Sequence, residues 1–302
     1  MCTLNEELKY IIRGELKMKK GKKSIEYSVL MAVYYKEKAE WLDYSIESMI
    51  KQTIFPSEFV LVKDGPLTKG LDEVIDKYVK EYPNLFKIVA LKENVGLGPA
   101  LKEGILNCSY EYIARMDSDD YSKPDRIEKQ FMVYDKYPEL ELVGTNVEEF
   151  EGDIDNINCH VILPENPDEI YKFSKRRCPF RHPTLLYKKS SVIKSGNYRE
   201  FYLCEDYDLY VRMLRSDCKC YNIQEPLVYM RIGEDFYKRR GGWRYMKTIL
   251  KFKNEQLKIG YFSLTDYFKS TVPHVVVCLM PNDMRDYVYR NFLRKKVRNK
   301  DE

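Results

Sequence analysis

Three closely spaced carboxylates are the part of the sequence best suited to chemistry: Asp117, Asp119 and Asp120 follow a short run of strand-forming residues. In an extended segment Asp117 and Asp119 point to one side and Ser118 points to the other. Two carboxylates on one side repel each other unless a cation lies between them. Since a hard divalent cation takes oxygen ligands and shares them with a substrate's phosphates, the segment predicts a metal–phosphate site. The alternative is a solvated acidic turn that caps the next helix.

Apolar runs and helical spacing predict the elements that position this site. Strands are expected at residues 27–34, 59–62, 86–91 and 112–116, with helices between them at residues 41–52, 71–81 and 100–107. This alternation predicts an α/β fold with a mostly parallel, twisted sheet flanked by helices. The strands then end at Tyr34, Asp64, Asn94 and Asp117, at the edge where open α/β sheets bind their ligands.

The rest of the chain is predicted to mix strands and helices. The expected elements are a helix at 127–137, a strand at 142–146, an acidic loop at 149–158, a helix at 165–174, an irregular segment at 178–184, a strand at 185–187, a helix within 202–213 and closing strands at 221–223 and 227–231. From residue 237 the spacing is helical. These patterns predict a polar leader at 1–25, a catalytic domain at 26–232 and a helical, basic extension at 233–302.

Composition narrows the class of protein. The chain has 302 residues, enough for one large domain or two small ones. Its net charge of +4 gives no sign of a nucleic-acid partner, and its eight cysteines lack paired zinc spacing. Residues 1–23 are charged and have no apolar core, so neither a secretory signal nor a spanning helix is expected. We therefore expect reduced thiols and a cytoplasmic location.

Five short motifs occur in an order that resembles the family 2 glycosyltransferases. They are the strand ending at Tyr34, Lys63-Asp64-Gly65, Asn94-x-Gly96-Leu-Gly, Asp117-x-Asp119-Asp120 and Glu205-Asp206. The resemblance covers residues 28–231 and is strongest to bacterial enzymes that build capsular, exopolysaccharide and O-antigen repeat units. It implies a GT-A, Rossmann-like domain that binds a nucleotide-sugar, usually a UDP-sugar. Each motif alone is weak, and the order is what makes the resemblance specific.

The resemblance implies a set of residues that bind the nucleotide-sugar. They are Ala32, Tyr34, Asp64, Asn94, Gly96, Lys102, Arg115, Asp117 and Ser118. Four of these have an ordinary structural alternative. Tyr34 is equally suited to the core, Asp64 to capping a turn, Lys102 to a solvated helix face and Arg115 to an ion pair with a nearby acid. Lys63 stands where many members carry a second acid, which leaves only Asp64 for the uracil.

The resemblance also implies a metal and a catalytic base. Asp119 would ligate Mn²⁺ or Mg²⁺ on the donor diphosphate, and Asp117 would reach the ribose or a metal-bound water. Asp206 would accept the proton of the acceptor hydroxyl, with Glu205 orienting the site, and a single displacement would invert the anomeric carbon. The alternative for this pair is an acidic cap at a helix N-terminus. His182 and Arg212 are candidates for the acceptor site.

Two basic regions complete the interpretation. Arg176, Arg177 and Arg181 are suited either to a phosphate of the acceptor or donor, or to an exposed basic loop. Residues 285–300 combine arginines and lysines with aromatic residues, as in an amphipathic helix on an anionic membrane. The alternative is a helix packed on the domain with a solvated basic face.

The sequence thus predicts a peripheral glycosyltransferase at the inner face of the cell membrane. It would transfer a sugar from a nucleotide donor to a glycan hydroxyl, the glycan being carried on a polyprenyl diphosphate, with no nucleic-acid partner. A nucleotidyltransferase normally begins with a glycine-rich phosphate loop after the first strand, and Tyr34-Tyr35-Lys36-Glu37 is not one. A non-catalytic module that binds a sugar nucleotide or a membrane would tolerate loss of the Glu205-Asp206 pair, which is present here.

Overall fold

The computed structural model describes residues 25–233 and 235–288 of the chain. Nine strands form one sheet in these residues. In chain order they are β1 (Tyr27–Val33), β2 (Glu58–Lys63), β3 (Phe86–Ala90), β4 (Tyr112–Arg115), β5 (Tyr121–Ser122), β6 (Leu142–Phe150), β7 (Ile157–Val161), β8 (Leu186–Lys188) and β9 (Cys220–Arg231). A 3-10 turn at His182–Thr184 lies in the segment predicted to be irregular.

Helices cover the sheet and then form the C-terminal part of the described chain. They are α1 (Ala39–Ile50), α2 (Lys69–Glu81), α3 (Leu97–Asn107), α4 (Arg126–Lys136), α5 (Pro167–Ser174), α6 (Lys189–Lys194), α7 (Glu205–Arg215), α8 (Asp235–Lys238), α9 (Gly242–Lys258), α10 (Leu264–Leu279) and α11 (Asn282–Val288). Several begin at side-chain caps. Asn166 caps α5, which starts with Pro167, and Ser263 and Asp266 form a reciprocal capping box on α10.

The N-terminal half confirms the predicted parallel sheet. Strands β3, β2, β1 and β4 lie side by side in that order and all run parallel, and a helix joins each strand to the next one along the chain. Six of the seven residues of β1 are fully buried because helices cover both faces of the sheet. The carboxyl ends of these strands therefore meet at one edge, as the sequence predicts.

The second half of the sheet differs from the prediction in two places. The acidic loop expected at 149–158 is wrong in part, because β6 continues to Phe150 and pairs with β7 in an antiparallel hairpin. Val147 and Phe150 on β6 and Cys159 and Val161 on β7 are buried, and this burial outweighs the acidic composition. The two closing strands are one strand, β9, whose pairing with β6 shifts register near Pro226.

The C-terminal helices pack on the sheet domain. Tyr245, Ile249 and Phe252 of α9 form a buried cluster with Tyr207 and Val211 of α7. No helix among the described residues combines the length and the apolar character needed to cross a bilayer. The predicted leader, up to residue 24, and the basic tail from residue 289 lie outside the described residues, and the domain boundaries remain predictions.

Candidate active site

A cavity of about 910 Å³ opens at the carboxyl ends of the parallel strands. This volume is near the upper end of the range of about 300–1,000 Å³ for small-molecule sites. The predicted site residues that line it are Ala32, Tyr34, Asp64, Asn94, Gly96, Asp117, Ser118, Asp119, His182, Glu205 and Asp206. The structure therefore brings together residues that are up to 174 positions apart in sequence, from Ala32 to Asp206.

Asp64 shapes the loop that follows β3. Its carboxylate accepts hydrogen bonds from the backbone N–H groups of Val95 (2.7 Å) and Gly96 (3.1 Å) and from Asn94 Nδ2 (3.0 Å). Gly65 permits the close approach, since a Cβ there would lie 2.6 Å from the Asn94 nitrogen and its φ is +84°. The contacts support the turn-holding alternative for Asp64, although the residue also lines the cavity.

The acidic segment after β4 is a turn rather than an extended strand. One carboxylate oxygen from each of Asp117, Asp119 and Asp120 lies within 4.8 Å of the others. The expected alternation of Asp117 and Ser118 is wrong here, because Ser118 also lines the cavity and its Oγ donates to Glu37 (2.9 Å). Burial and the neighbouring Asp117 and Glu37 carboxylates raise the pKa of Asp119 to about 7. Such mutual repulsion is what a divalent cation would relieve.

Arg231, the last residue of β9, holds the acidic turn in place, and no motif in the sequence pointed to this residue. Its backbone N–H donates to Asp120 Oδ1 (2.7 Å), and its Nε donates to the Asp119 carbonyl (3.1 Å). The guanidinium lies over the rings of Trp41 and Phe150, at 4.6 and 4.5 Å from their centroids. The available signal was its position at the end of a predicted closing strand, which does not indicate its partner.

Arg115 lies beneath the turn and does not line the cavity. The side chain is almost completely buried and forms an ion pair with the Asp117 carboxylate. This contact supports the structural alternative weighed for Arg115. Asp117 therefore has a direct ion-pair partner, whereas at Asp119 burial and the Asp117 and Glu37 carboxylates outweigh the opposing effect of Arg239 and Arg115 on its pKa.

Glu205 and Asp206 begin helix α7 and face the same cavity. The Cys204 N–H donates to Glu205 Oε2 (3.0 Å), and the Tyr207 N–H donates to Asp206 Oδ1 (2.7 Å). Each carboxylate thus accepts a hydrogen bond from a neighbouring backbone N–H at the start of the helix, and both residues also line the cavity. Gly98 lets the start of α3 approach the start of α7, because a Cβ at this position would lie only 3.2 Å from the Cβ of Glu205.

Besides Arg115, two predicted site residues lie outside the cavity lining. Lys102 is exposed on α3 and does not line the cavity. Arg212 forms an ion pair with Asp208 (2.8 Å) and donates to the Asn197 carbonyl (2.7 Å), so it braces α7 against the preceding turn. Its helical spacing from Glu205 placed it too near the acidic pair. His182 lines the cavity and lies 2.9 Å from the Tyr198 hydroxyl, and burial lowers its pKa.

The sequence is similar to those of known glycosyltransferases. The profile described as glycosyl transferase family 2 matches residues 28–194. The Escherichia coli protein named UDP-Gal:alpha-D-GlcNAc-diphosphoundecaprenol beta-1,3-galactosyltransferase is 34% identical over 270 residues, covering 89% of this chain and 97% of the relative. The Erwinia amylovora amylovoran biosynthesis glycosyltransferase AmsE is 34% identical over 267 residues, covering 87% and 97%.

The fold is similar to that of solved glycosyltransferases. The mannosyltransferase PcManGT from Pyrobaculum calidifontis, solved in complex with GDP-Man and Mn²⁺, aligns with a TM-score of 0.57 at 13% identity. The alignment covers 92% of this chain and 78% of that protein. At this level of identity the likeness establishes the fold alone.

Proposed function

Because the chain belongs to glycosyl transferase family 2, we propose that it is an inverting, metal-dependent enzyme that transfers a sugar from a UDP-sugar to a lipid-linked glycan. The observation that carries this proposal is the shared cavity of the acidic turn and the Glu205–Asp206 pair. One group of carboxylates suits a cation on a diphosphate, and the other suits removal of a hydroxyl proton. A glycosyl transfer needs both groups of carboxylates in the same cavity, because the donor diphosphate and the acceptor hydroxyl act on the same anomeric carbon.

The acidic turn fits Mn²⁺ or Mg²⁺. Asp117, Asp119 and Asp120 offer oxygen ligands close together, and their repulsion favours a bound cation. We propose Asp119 as the main ligand, with Asp117 toward the ribose. The cation would neutralise the charge on the leaving diphosphate. The protein's own part is to hold the turn in place, which Arg231 and Arg115 do through the contacts described above.

The donor is proposed to lie along the edge formed by β1, β2 and β4. Tyr34 is 39% exposed and lines the cavity, so its ring is available to a nucleotide base rather than buried in the core. Asn94 and Gly96 border the same end. Asp64 already accepts three hydrogen bonds, so any contact it makes with uracil would add to its role in holding the loop.

Asp206 is proposed as the general base. It would accept the proton of the acceptor hydroxyl as the hydroxyl oxygen attacks the anomeric carbon and the bond to the donor phosphate breaks. A single displacement of this kind inverts the anomeric carbon. Glu205, which is 7% exposed and hydrogen-bonded to the Cys204 N–H, would position the pair and the acceptor.

The pH dependence of the transfer reaction should reflect the ionisation of Glu205 and Asp206. Burial and the Asp206 carboxylate raise the pKa of Glu205 to about 7, and burial raises the pKa of Asp206. Because a base acts only when deprotonated, kcat/KM should rise with pH as this coupled pair loses its protons, and the last proton is lost from Glu205, whose pKa is about 7. Glu205→Gln removes this last ionisation, so kcat/KM of the variant should level off at lower pH than that of the wild type.

The control for this profile is Asp217→Asn, an acid-to-amide change at an exposed position just after α7. Its φ of +59° is one that asparagine adopts readily, so the fold should be unaffected. The control should keep the wild-type profile. A Glu205→Gln profile that superimposes on the wild type would show that this pair does not set the rate.

The acceptor is proposed to be a glycan on a polyprenyl diphosphate, in the assembly of a surface polysaccharide. The name of the E. coli relative specifies a diphosphoundecaprenol acceptor, and the E. amylovora relative acts in amylovoran biosynthesis. Since such a carrier is a lipid, we propose that the enzyme works at the inner face of the membrane and touches it through its C-terminal extension.

A nucleotide panel tests the proposed donor and metal. The thermal unfolding of the protein is measured with UDP, GDP, dTDP and CDP, each with and without Mn²⁺. Binding to the folded state raises the apparent stability, by about 2.7 kcal/mol when the ligand is present at 100 times its Kd. The proposal expects the largest rise with UDP plus Mn²⁺. A larger rise with GDP would contradict the donor assignment. If no nucleotide raised the apparent stability, the alternative of a non-catalytic binding module would be favoured.

A further inference from the structure

One end of the cavity is rich in cations. Its lining includes Arg176, Arg177, Arg181, Arg240, Arg244 and Lys269. They come from the loop after α5, from the segment around the start of α9 and from α10, all outside the parallel strands that carry the acidic turn. These elements give the cavity a positively charged lining in addition to its acidic one.

The charges of the cavity lining are segregated by segment. Within the described chain, every carboxylate in the lining comes from residues 37–120 or 200–206. The segments 176–183 and 230–277 contribute arginines, Lys269, histidines and uncharged residues to it, and no described carboxylate. Cations gathered in one part of a cavity form a site for an anionic group.

The cationic end begins beside the proposed base and extends away from it. Arg240 and Arg181 are close enough to Asp206 to lower its pKa against the effect of burial. Arg177 and Arg240 likewise lie near His274, and with burial and Lys253 they lower the pKa of His274 to about 3. Arg231 and Arg239 also line the cavity but lie near Asp119, whereas Arg181 and Arg240 lie near Asp206. In a sugar diphosphate the anionic group is attached directly to the sugar whose hydroxyl reacts, which matches cations close to the proposed base.

Helix α10 links the cationic end to an apolar exterior. Lys269, Pro273, His274 and Val277 line the cavity from one side of the helix. The other side carries a stripe of apolar side chains that are each at least half exposed, namely Leu264, Phe268, Val272, Val276 and Leu279. An exposed apolar stripe beside a cationic site is suited to a ligand that joins a lipid to a phosphate.

We propose that Arg177, Arg240 and Lys269 form a subsite for the diphosphate of the acceptor, and that the lipid chain of the acceptor extends along α10. This inference rests on the proposed glycosyl transfer and adds to it the residues that select the acceptor. The arginines can each donate two hydrogen bonds to phosphate oxygens, whereas the lysine supplies a point charge. The subsite is distinct from the donor diphosphate, which the acidic turn and its cation would hold on the other side of Asp206.

The test is the binding of farnesyl diphosphate to the full chain, measured by calorimetry at saturating UDP and Mn²⁺. Under these conditions the donor end is filled, so the probe reports the second subsite. The double variant Arg177→Ala/Lys269→Ala changes two exposed side chains and should weaken binding of the probe at least about tenfold. The matched control is Lys172→Ala/Lys247→Ala, which removes the same charge from exposed positions outside the cavity lining and should bind within about twofold of wild type.

Each outcome separates this inference from the proposed function. Equal affinity of the double variant and the wild type for farnesyl diphosphate would overturn the subsite, even with UDP bound normally. Failure of UDP to bind the wild type would overturn the proposed function instead. Farnesol and inorganic pyrophosphate test the lipid and the diphosphate separately. If farnesol bound as strongly as farnesyl diphosphate, the subsite would be contradicted. Pyrophosphate as strong as farnesyl diphosphate would support the subsite and contradict the contribution of α10.

Discussion

Asp206→Asn is expected to lower kcat by about 10²–10⁴-fold, the usual contribution of a general base. The amide keeps the size of the side chain and still accepts the Tyr207 N–H bond, so helix α7 should begin normally. It cannot accept the proton of the acceptor hydroxyl. The KM for the donor should change little, because the base contacts the acceptor. Steady-state kinetics with a radiolabelled UDP-sugar measure both constants.

Two companion variants make this result specific. Asp217→Asn, at its exposed position after α7, should retain wild-type kcat. Glu205→Gln should retain more activity than Asp206→Asn, because we assign Glu205 a positioning role. If Glu205→Gln loses more activity than Asp206→Asn, the two roles are exchanged and the assignment of the base is wrong.

Asp119→Asn is expected to abolish the dependence of UDP binding on Mn²⁺ and to lower kcat at least about 100-fold. A cation at a leaving phosphate contributes several kcal/mol to the barrier, and each 1.36 kcal/mol is tenfold in rate. The free energy of unfolding without metal should stay the same or rise, because the change removes a charge from among Asp117, Asp120 and Glu37. Calorimetric titration of UDP with and without Mn²⁺, together with thermal unfolding, checks both effects.

The control for Asp119→Asn is Asp155→Asn, in the exposed turn between β6 and β7, which should change neither property. A metal-free Asp119→Asn protein that is clearly less stable than wild type would mean that the carboxylate has a structural role. Mn²⁺-dependent UDP binding that survives the change would place the cation on other ligands.

The parallel sheet was predictable because its signals are local. The buried run of β1 and the alternation with α1, α2 and α3 are visible in the residues themselves. Since parallel strands end at one edge, the meeting of Tyr34, Asp64, Asn94 and the acidic turn followed from topology. Asp206, which was placed by motif order, lines the same cavity as Asp119.

What the sequence left unpredicted depends on contacts between distant residues. Arg231 holds Asp120 from 111 positions away, and nothing local indicates that pairing. Lys102 and Arg212 were assigned from their distance along a helix, which does not specify the face they occupy. The hairpin of β6 and β7 was missed because its acidic turn dominates the composition, while the burial of Phe150 and Cys159 depends on the sheet behind them.

The anomeric configuration of the product tests the central claim most directly. The protein is incubated with Mn²⁺, a panel of UDP-sugars and a synthetic N-acetylglucosamine diphosphate lipid, and the product is examined by proton NMR. With whichever α-linked UDP-sugar is consumed, a β-linked product is expected, because a single displacement assisted by Asp206 inverts the anomeric carbon. An α-linked product, or transfer from a GDP-sugar but from no UDP-sugar, would contradict it.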